Sequence, residues 1–207
     1  MTVPGQPTVT YTYDALDRRT SRSAGGTSET YGYVGLSATV GRIDRGGGQV
    51  LASAIDALGD RLTVGSSWVL PSVRGDVAAL LAPGGTAVGD AHRYDPYGVT
   101  LAASGSTASP WRFAGRLQEP TSGQYDYGAR GYDPALAAFT SLDTALGAAA
   151  APASRNRYLY AEANPVSMVD PDGHAACRLG ADDCADLGGR LDALARAAAA
   201  ADAAAAA

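Results

Sequence analysis

Few residues in this sequence have the type and spacing that catalysis or metal binding requires. His92 has no second His or Cys at metal-ligand spacing, so we expect no metal site. Ser141 lacks the G-x-S-x-G setting of a nucleophilic serine. The glycines at 46–48 are not followed by the Lys-Ser pair of a phosphate-binding loop, and no cofactor is expected.

The two cysteines, Cys177 and Cys184, fit no familiar reactive pattern. Six residues separate them, which matches neither a CxxC redox pair nor a zinc knuckle. We expect two free thiols or one local disulfide in a loop.

Several aspartates stand next to proline and close to glycine, which is the chemistry of tight turns. The proline fixes φ, the aspartate accepts backbone N–H groups, and the glycine adopts positive φ. These turn residues are Asp95, Pro96 and Gly98 in HRYDPYG, Asp133 and Pro134 in GYDP, and Asp170, Pro171 and Gly173 in VDPDG.

The overall composition excludes several classes of function. The net charge is −5 and the isoelectric point is near 4.9, so a basic nucleic-acid groove is not expected. All 16 basic residues are Arg, which we interpret as genomic composition bias. No run of 18 apolar residues predicts a membrane span, and the N-terminus lacks the pattern of a signal peptide.

The elements that must position the turn aspartates are short strands. Apolar or aromatic residues alternate with Thr at 9–13, and tyrosines alternate with Gly at 31–33 and with Leu at 158–160. Alternation with period two is typical of strands. Turn residues recur about every ten positions. The sequence therefore predicts an all-β, antiparallel meander of short hairpins up to about residue 174.

The composition changes after about residue 174. Leu187, Leu191 and Leu194 follow helical spacing, and alanines then continue to the end. We predict a short helix after about residue 182, within an Ala-rich tail that is a linker or a truncated variable region.

The eleven tyrosines outnumber the two phenylalanines. Tyr buries a ring but keeps a hydroxyl that needs a partner. Two interpretations stay open: one face of a curved sheet that lines a wet cavity, or cross-strand pairs on an exposed sheet.

Two parts of the sequence resemble known repeats. The string YTYDALDRRTSRSAGG resembles a YD-repeat, with Asp17 where the repeat usually has Gly. From residue 71 to 174 the chain resembles the Rhs (rearrangement hotspot) repeat-associated core domain of polymorphic toxin proteins. The motifs that carry the resemblance, in the order of the family, are SVRGDVAALL, HRYDPYG, FAGRLQEPTSGQYDYGARGYDPALAAFTSLD and NRYLYAEANPVSMVDPDG. This divides the chain into a YD-repeat-like segment (1–70), a core domain (71–174) and the tail (175–207).

The resemblance implies a function. Such proteins wind β-hairpins into a hollow shell around a C-terminal toxin, and the core domain plugs one end. The expected partners are the remainder of its own shell, the toxin, and an immunity or delivery-system protein. The chain would be secreted or at the cell surface as part of a larger polypeptide. No nuclease, transferase or deaminase motif follows Gly173, so we expect the toxin to be missing here.

The resemblance also implies self-cleavage after the last DPxG. In family members two aspartates act in the manner of an aspartyl protease, in which two close carboxylates share one proton. The matching residues are Asp143 and Asp170, and the scissile bond is His174–Ala175. Two positions depart from the family: Thr144 replaces a proline, and His174 stands where Leu is usual.

Three alternatives follow from the residues themselves. Asp143 and Asp170 could simply accept backbone N–H groups in turns. Arg116 and Arg130 could orient a carboxylate or support a turn. The whole chain could be a non-catalytic YD-repeat surface module that binds carbohydrate or protein.

Overall fold

The computed structural model describes residues 3–57, 59–105, 109–144, 146–147 and 152–180, and the long elements in them are antiparallel β-strands. This confirms the all-β prediction. The helix predicted after about residue 182 lies outside the described residues. Among the described residues, no helix is long and apolar enough to cross a membrane. The chain divides into two compact units between Ala52 and Ser53, and the family boundary at residue 71 stays a prediction.

The first unit contains one five-stranded antiparallel meander, in which each strand pairs with the next along the chain. Its strands are β1 (Thr10–Tyr13), β2 (Arg19–Ala24), β3 (Thr27–Tyr33), β4 (Val40–Asp44) and β5 (Val50–Ala52).

The turn between β1 and β2 shows how the YD-repeat folds locally. Asp14 accepts the backbone N–H of Leu16 and of Arg18 at 2.9 Å, and its second oxygen accepts Arg18 Nε at 2.8 Å. Asp17 has φ of +57°, the left-handed conformation that glycine adopts most easily and that aspartate tolerates better than most residues. The departure from the repeat pattern is therefore accommodated by the backbone of Asp17.

Among the described residues, the second unit contains three antiparallel sheets, of five, four and two strands. The strands of the first are β6 (Thr63–Val64), β7 (Ser67–Pro71), β8 (Val77–Leu81), β9 (Val88–Tyr94) and β10 (Thr100–Ser104). The second sheet consists of β11 (Leu117–Gln118), β12 (Tyr125–Asp126), β13 (Gly131–Asp133) and β14 (Ala138–Phe139). The third is the hairpin of β15 (Met168–Val169) and β16 (Cys177–Arg178), whose connecting turn contains the VDPDG motif.

Short 3-10 turns replace strand in part of the predicted pattern. They cover Phe113–Gly115, Pro152–Arg155 and Ala161–Ala163. The strand predicted at 158–160 is wrong, because Leu159 makes only an isolated bridge to Ala138. Residues 161–163 all have positive φ, so the chain turns away as soon as Tyr160 has entered the core.

The core of the second unit is a cluster of buried rings. Its members are Phe113, Tyr125, Tyr127, Tyr132, Phe139 and Tyr160, with Ala161. The register aligns Tyr125, Tyr132 and Phe139 across β12, β13 and β14, so these three rings share one face. Edge-to-face and tilted contacts connect the rings, with Tyr132 and Tyr160 4.6 Å apart between centroids.

Each of the two interpretations of the tyrosines fails on burial in this cluster. Tyr125 and Tyr132 do form a cross-strand pair. However, each tyrosine of the cluster is at most 1% exposed, so these rings neither line a wet face nor lie on an exposed sheet. Their hydroxyls find partners inside the fold: Tyr132 donates to the carbonyl of Tyr97 at 2.7 Å, and the hydroxyls of Tyr127 and Tyr160 lie 3.2 Å apart. A buried tyrosine costs little when its hydroxyl is bonded in this way.

Candidate active site

Three connections of the second unit bring the candidate residues together. Arg130 directly precedes β13, Asp143 follows β14 by four residues, and Asp170 directly follows β15. Strand β13 pairs with β14, while the β15–β16 hairpin supplies the turn that contains Asp170. The two aspartates that the family resemblance pairs therefore meet at one site, although 27 positions separate them in the sequence.

A single arginine nitrogen contacts both carboxylates. Arg130 Nη2 lies 2.9 Å from Asp143 Oδ2 and 3.5 Å from Asp170 Oδ2. These two oxygens cannot be further apart than the sum of the two distances. All three side chains are at most 8% exposed, so the two carboxylates and the guanidinium form a buried ionic cluster.

The remaining donors of Arg130 are also occupied. Its Nε donates to the carbonyl of Gly173, and its Nη1 donates to the carbonyl of Arg157 at 2.8 Å. The guanidinium carbon lies 3.6 Å from the ring centroid of Phe139, an arrangement that favours a cation over the ring. Orienting a carboxylate and supporting a turn were alternative roles for Arg130. Its side chain has both, because it contacts the two carboxylates and also bonds to the VDPDG turn.

The VDPDG turn is closed by its own aspartates. Asp170 Oδ1 accepts the backbone N–H of Gly173 at 2.8 Å and of His174 at 3.1 Å. Asp172 Oδ1 accepts the N–H of His174 at 2.9 Å and of Ala175 at 3.2 Å. The amide nitrogen of the expected scissile bond therefore donates directly to a carboxylate.

The Asp170 carboxyl is harder to ionise than an ordinary aspartate. Burial raises its pKa to about 6, and the neighbouring Asp172 adds to the rise. The N–H of Gly173 and the charge of Arg130 act in the opposite direction without cancelling it. Asp170 therefore holds a proton in mildly acidic solution while its oxygen still anchors the turn.

Asp143 is held without the proline that the family pattern supplies. Its carbonyl accepts Nε of Arg157 at 2.6 Å as well as the Nη2 of the same side chain, and its N–H donates to the carbonyl of Arg157 at 3.2 Å. Its Oδ1 lies 2.8 Å from Nδ1 of His174. Arg157 therefore fixes the loop that begins with Asp143 and Thr144.

The other predicted turn residues lie outside this cluster. Asp95 Oδ1 accepts the N–H of Tyr97 and of Val99 at 2.9 Å, and a Cβ on Gly98 would lie 2.6 Å from the Phe113 ring. Asp133 Oδ1 accepts the N–H of Ala135 at 2.9 Å.

Two of the predicted turn prolines accept hydrogen bonds through their carbonyls. The carbonyl of Pro134 accepts the N–H of Ala137 at 3.3 Å. The carbonyl of Pro171 accepts Nη2 of Arg116. The second contact shows that Arg116, like Arg130, supports the VDPDG turn.

The remaining candidates give a mixed result. Cys177 is disulfide-bonded, while Cys184 lies outside the described residues. Among the described residues, no group of three His, Cys, Asp or Glu side chains could hold a metal ion. His92 lies in β9 and belongs to no such group.

Comparison with known proteins gives several relatives, although no family profile matches the chain. It is 30% identical over 185 residues to the tRNA3(Ser)-specific nuclease WapA of Bacillus spizizenii, which covers 82% of this chain and 8% of that protein. It is 34% identical over 106 residues to the tRNA nuclease WapA of Bacillus subtilis, or 50% of this chain and 4% of that protein. The chain carries an Rhs/YD-repeat domain.

Solved structures share the fold of this Rhs domain. A crystal structure of TcdB2-TccC3 matches 84% of the chain and 10% of its own length, with a TM-score of 0.63 and 18% identity. The Photorhabdus luminescens Tc holotoxin pore matches 84% of the chain and 9% of its own length, with a TM-score of 0.61 and 19% identity. The Rhs domain therefore spans less than a tenth of the length of the WapA proteins and about a tenth or less of these structures.

The sequence alone does not assign two residues that are central to the site. Asp172 occupies the variable position of DPxG, so the motif gives no reason to single it out. The signal that could have identified it is that Asp170, Asp172 and His174 all lie within five residues of the predicted cut. Arg157 directly precedes the stretch 158–160, which the period-two pattern marks as strand. Its role depends on a contact with a loop 14 residues away, which no local pattern encodes.

Proposed function

We propose that this chain is the shell and end-plug segment of an Rhs/YD-repeat toxin-delivery polypeptide, and that it cuts itself between His174 and Ala175. The observation that carries the proposal is the buried contact of Arg130 with both Asp143 and Asp170, next to the turn that contains this bond. A site built only to close the turn would need Asp170 but not Asp143.

The chemistry proposed for the site is hydrolysis by water of the peptide bond between His174 and Ala175. Asp170, whose pKa is about 6, can exchange a proton near neutral pH. When two close carboxyl groups share one proton, one can act as an acid and the other as a base. In this chain Arg130 contacts both carboxyl groups.

The wider role rests on the relatives. The chain covers only a small part of each relative, so we propose that it belongs to a larger polypeptide. The proposed partners are the remainder of its own shell, the toxin, and an immunity or delivery-system protein. The larger polypeptide is proposed to be secreted or exposed at the cell surface. In this arrangement the cut would free the segment that begins with Ala175 from the shell.

The test compares isosteric variants of the two aspartates. Asp143→Asn and Asp170→Asn keep the shape of the side chain and one accepting oxygen, but neither can exchange a proton at neutral pH. We expect both variants to remain intact under conditions in which the wild-type chain is cut, as measured by intact mass over time. Asp133→Asn is the matched control, because Asp133 is also a turn aspartate before proline but lies outside the cluster.

Two results would contradict the proposal. One is cleavage of both Asn variants at the wild-type rate. The other is a wild-type chain that is never cut, which would favour the non-catalytic surface module instead.

A further inference from the structure

The residue just before the expected cut is itself bonded to the candidate site. His174 Nδ1 lies 2.8 Å from Asp143 Oδ1, while the other oxygen of that carboxylate lies 2.9 Å from Arg130 Nη2. The carboxylate is thereby fixed at both oxygens. An imidazole that donates Nδ1–H to a fixed carboxylate has Nε2 available as a proton acceptor, and the carboxylate stabilises the imidazolium once the proton is taken.

Water can reach this imidazole. The side chain of His174 is 33% exposed, whereas those of Asp143, Asp170 and Arg130 are at most 8% exposed. Among the four groups, His174 is thus the one best placed to meet a water molecule at the outer side of the cluster. Its own carbonyl carbon is the atom that a hydrolytic water must attack.

We propose that His174 is the general base for cleavage of its own peptide bond, and that Asp143 orients it. The inference rests on the proposed self-cleavage, but it gives the role of the base to His174 rather than to one of the two carboxyl groups. His174 is one of the two positions that depart from the family pattern. A leucine at this position, as is usual in the family, could not accept a proton.

The proposed step balances with water as the only co-reactant. Nε2 of His174 takes a proton as the water oxygen bonds to the carbonyl carbon of His174. The imidazolium then returns a proton to the amide nitrogen of Ala175 as the C–N bond breaks. The products are a carboxylic acid on His174 and an amino group on Ala175, and transfer of the acid proton to the amine leaves a carboxylate and an ammonium group. Asp172 Oδ1, 3.2 Å from that nitrogen, holds the leaving group in place meanwhile.

Charged groups surround His174 on several sides and bear on its pH dependence. Asp143 contacts the ring, Asp170 and Asp172 contact its backbone N–H, and Arg130 lies beyond Asp143. A general base acts only in its unprotonated form, so cleavage should be faster at pH 8.5 than at pH 5.5.

The test follows the cleavage rate of the full chain between pH 5.5 and 8.5. His174→Asn keeps a side-chain N–H near the position of Nδ1 but cannot act as a base. We expect its rate to fall about a hundredfold or more and to lose the rise with pH. His174→Ala should be cut slowly and should recover when free imidazole is added, which a purely structural role for His174 would not produce. His92→Asn is the matched control and should behave as the wild type.

The outcomes separate this inference from the function on which it rests. If His174→Asn is cut at the wild-type rate with the same pH profile, the role of His174 is wrong and self-cleavage stands. If His174→Asn is slow while Asp170→Asn is cut normally, the role of His174 stands and the Asp170 part of the proposed function is wrong. A wild-type chain that is never cut overturns both.

Discussion

Nδ1 of His174 lies 2.8 Å from Oδ1 of Asp143, and this contact ties the turn around the proposed cut to a loop 31 residues earlier. Together with Arg130, which contacts Asp143, Asp170 and the carbonyl of Gly173, it fixes the turn from two sides. The bond after His174 is therefore held in a defined position before any reaction begins, which is the condition under which a weak base can act efficiently.

The pH dependence of stability should report the burial of Asp170. Its pKa in the folded chain is about 6, above the ordinary value near 4, so the folded state binds this proton more tightly than the unfolded state. The stability that the bound proton contributes is present below about pH 4 and is lost as pH rises to about 6. Over that interval we expect a loss of about 2 to 3 kcal/mol from this group.

Urea unfolding at pH 4.5, 5.5 and 6.5 measures this effect against Asp170→Asn. As pH rises, the free energy of unfolding of the wild type should fall relative to that of the variant, because Asn has no proton to lose. Parallel curves for the two proteins would show that Asp170 ionises normally.

Arg130 should contribute strongly to stability. Arg130→Gln leaves two buried carboxylates without their cation, and breaking a buried ion pair in this way costs about 3 to 5 kcal/mol. Arg93→Gln is the matched control, since Arg93 is exposed on β9 and should change stability by less than about 0.5 kcal/mol. Chemical denaturation measures both, and equal effects would mean that the cluster stabilises nothing.

Gly173 should tolerate no side chain. It has φ of +82°, and a Cβ there would lie 3.2 Å from both Cβ and the carbonyl oxygen of Tyr127. Gly180 has φ of +77° with nothing within 4 Å of the same position. Both alanine variants suffer the unfavourable φ, but only Gly173→Ala adds the close contact.

We therefore expect Gly173→Ala to be less stable than Gly180→Ala by about 1 to 3 kcal/mol, measured by thermal unfolding. The account of the packed turn is wrong if the two variants lose the same stability.

The all-β fold could be predicted because its signal is local. The alternation in TYTY, which forms β1, and the turn chemistry of Asp14 and Asp95 both act within a few residues. Alternation failed at Tyr158 and Tyr160, because Tyr160 enters the ring cluster and the next three residues adopt positive φ. The sequence Ala-Glu-Ala at 161–163 does not predict positive φ at three successive residues; tertiary packing imposes this conformation.

The candidate site could be predicted only in part. The family resemblance brings Asp143 and Asp170 together, but it does not contain the His174–Asp143 contact, since the family usually has leucine there. The sequence predicts that Arg130 either orients a carboxylate or supports a turn, and in the structure this one side chain does both. Contacts of this kind join segments from 14 to 43 residues apart, so no short sequence pattern encodes them.

The intact mass of the incubated wild-type chain, with N-terminal sequencing of the smaller product, tests self-cleavage most directly. We predict a fragment that ends at His174 and a second one that begins Ala175-Ala176-Cys177, with masses that sum to the chain plus one water. Neither fragment should form from Asp143→Asn. An unchanged full-length mass, or a cut at another bond that persists in that variant, would contradict the account.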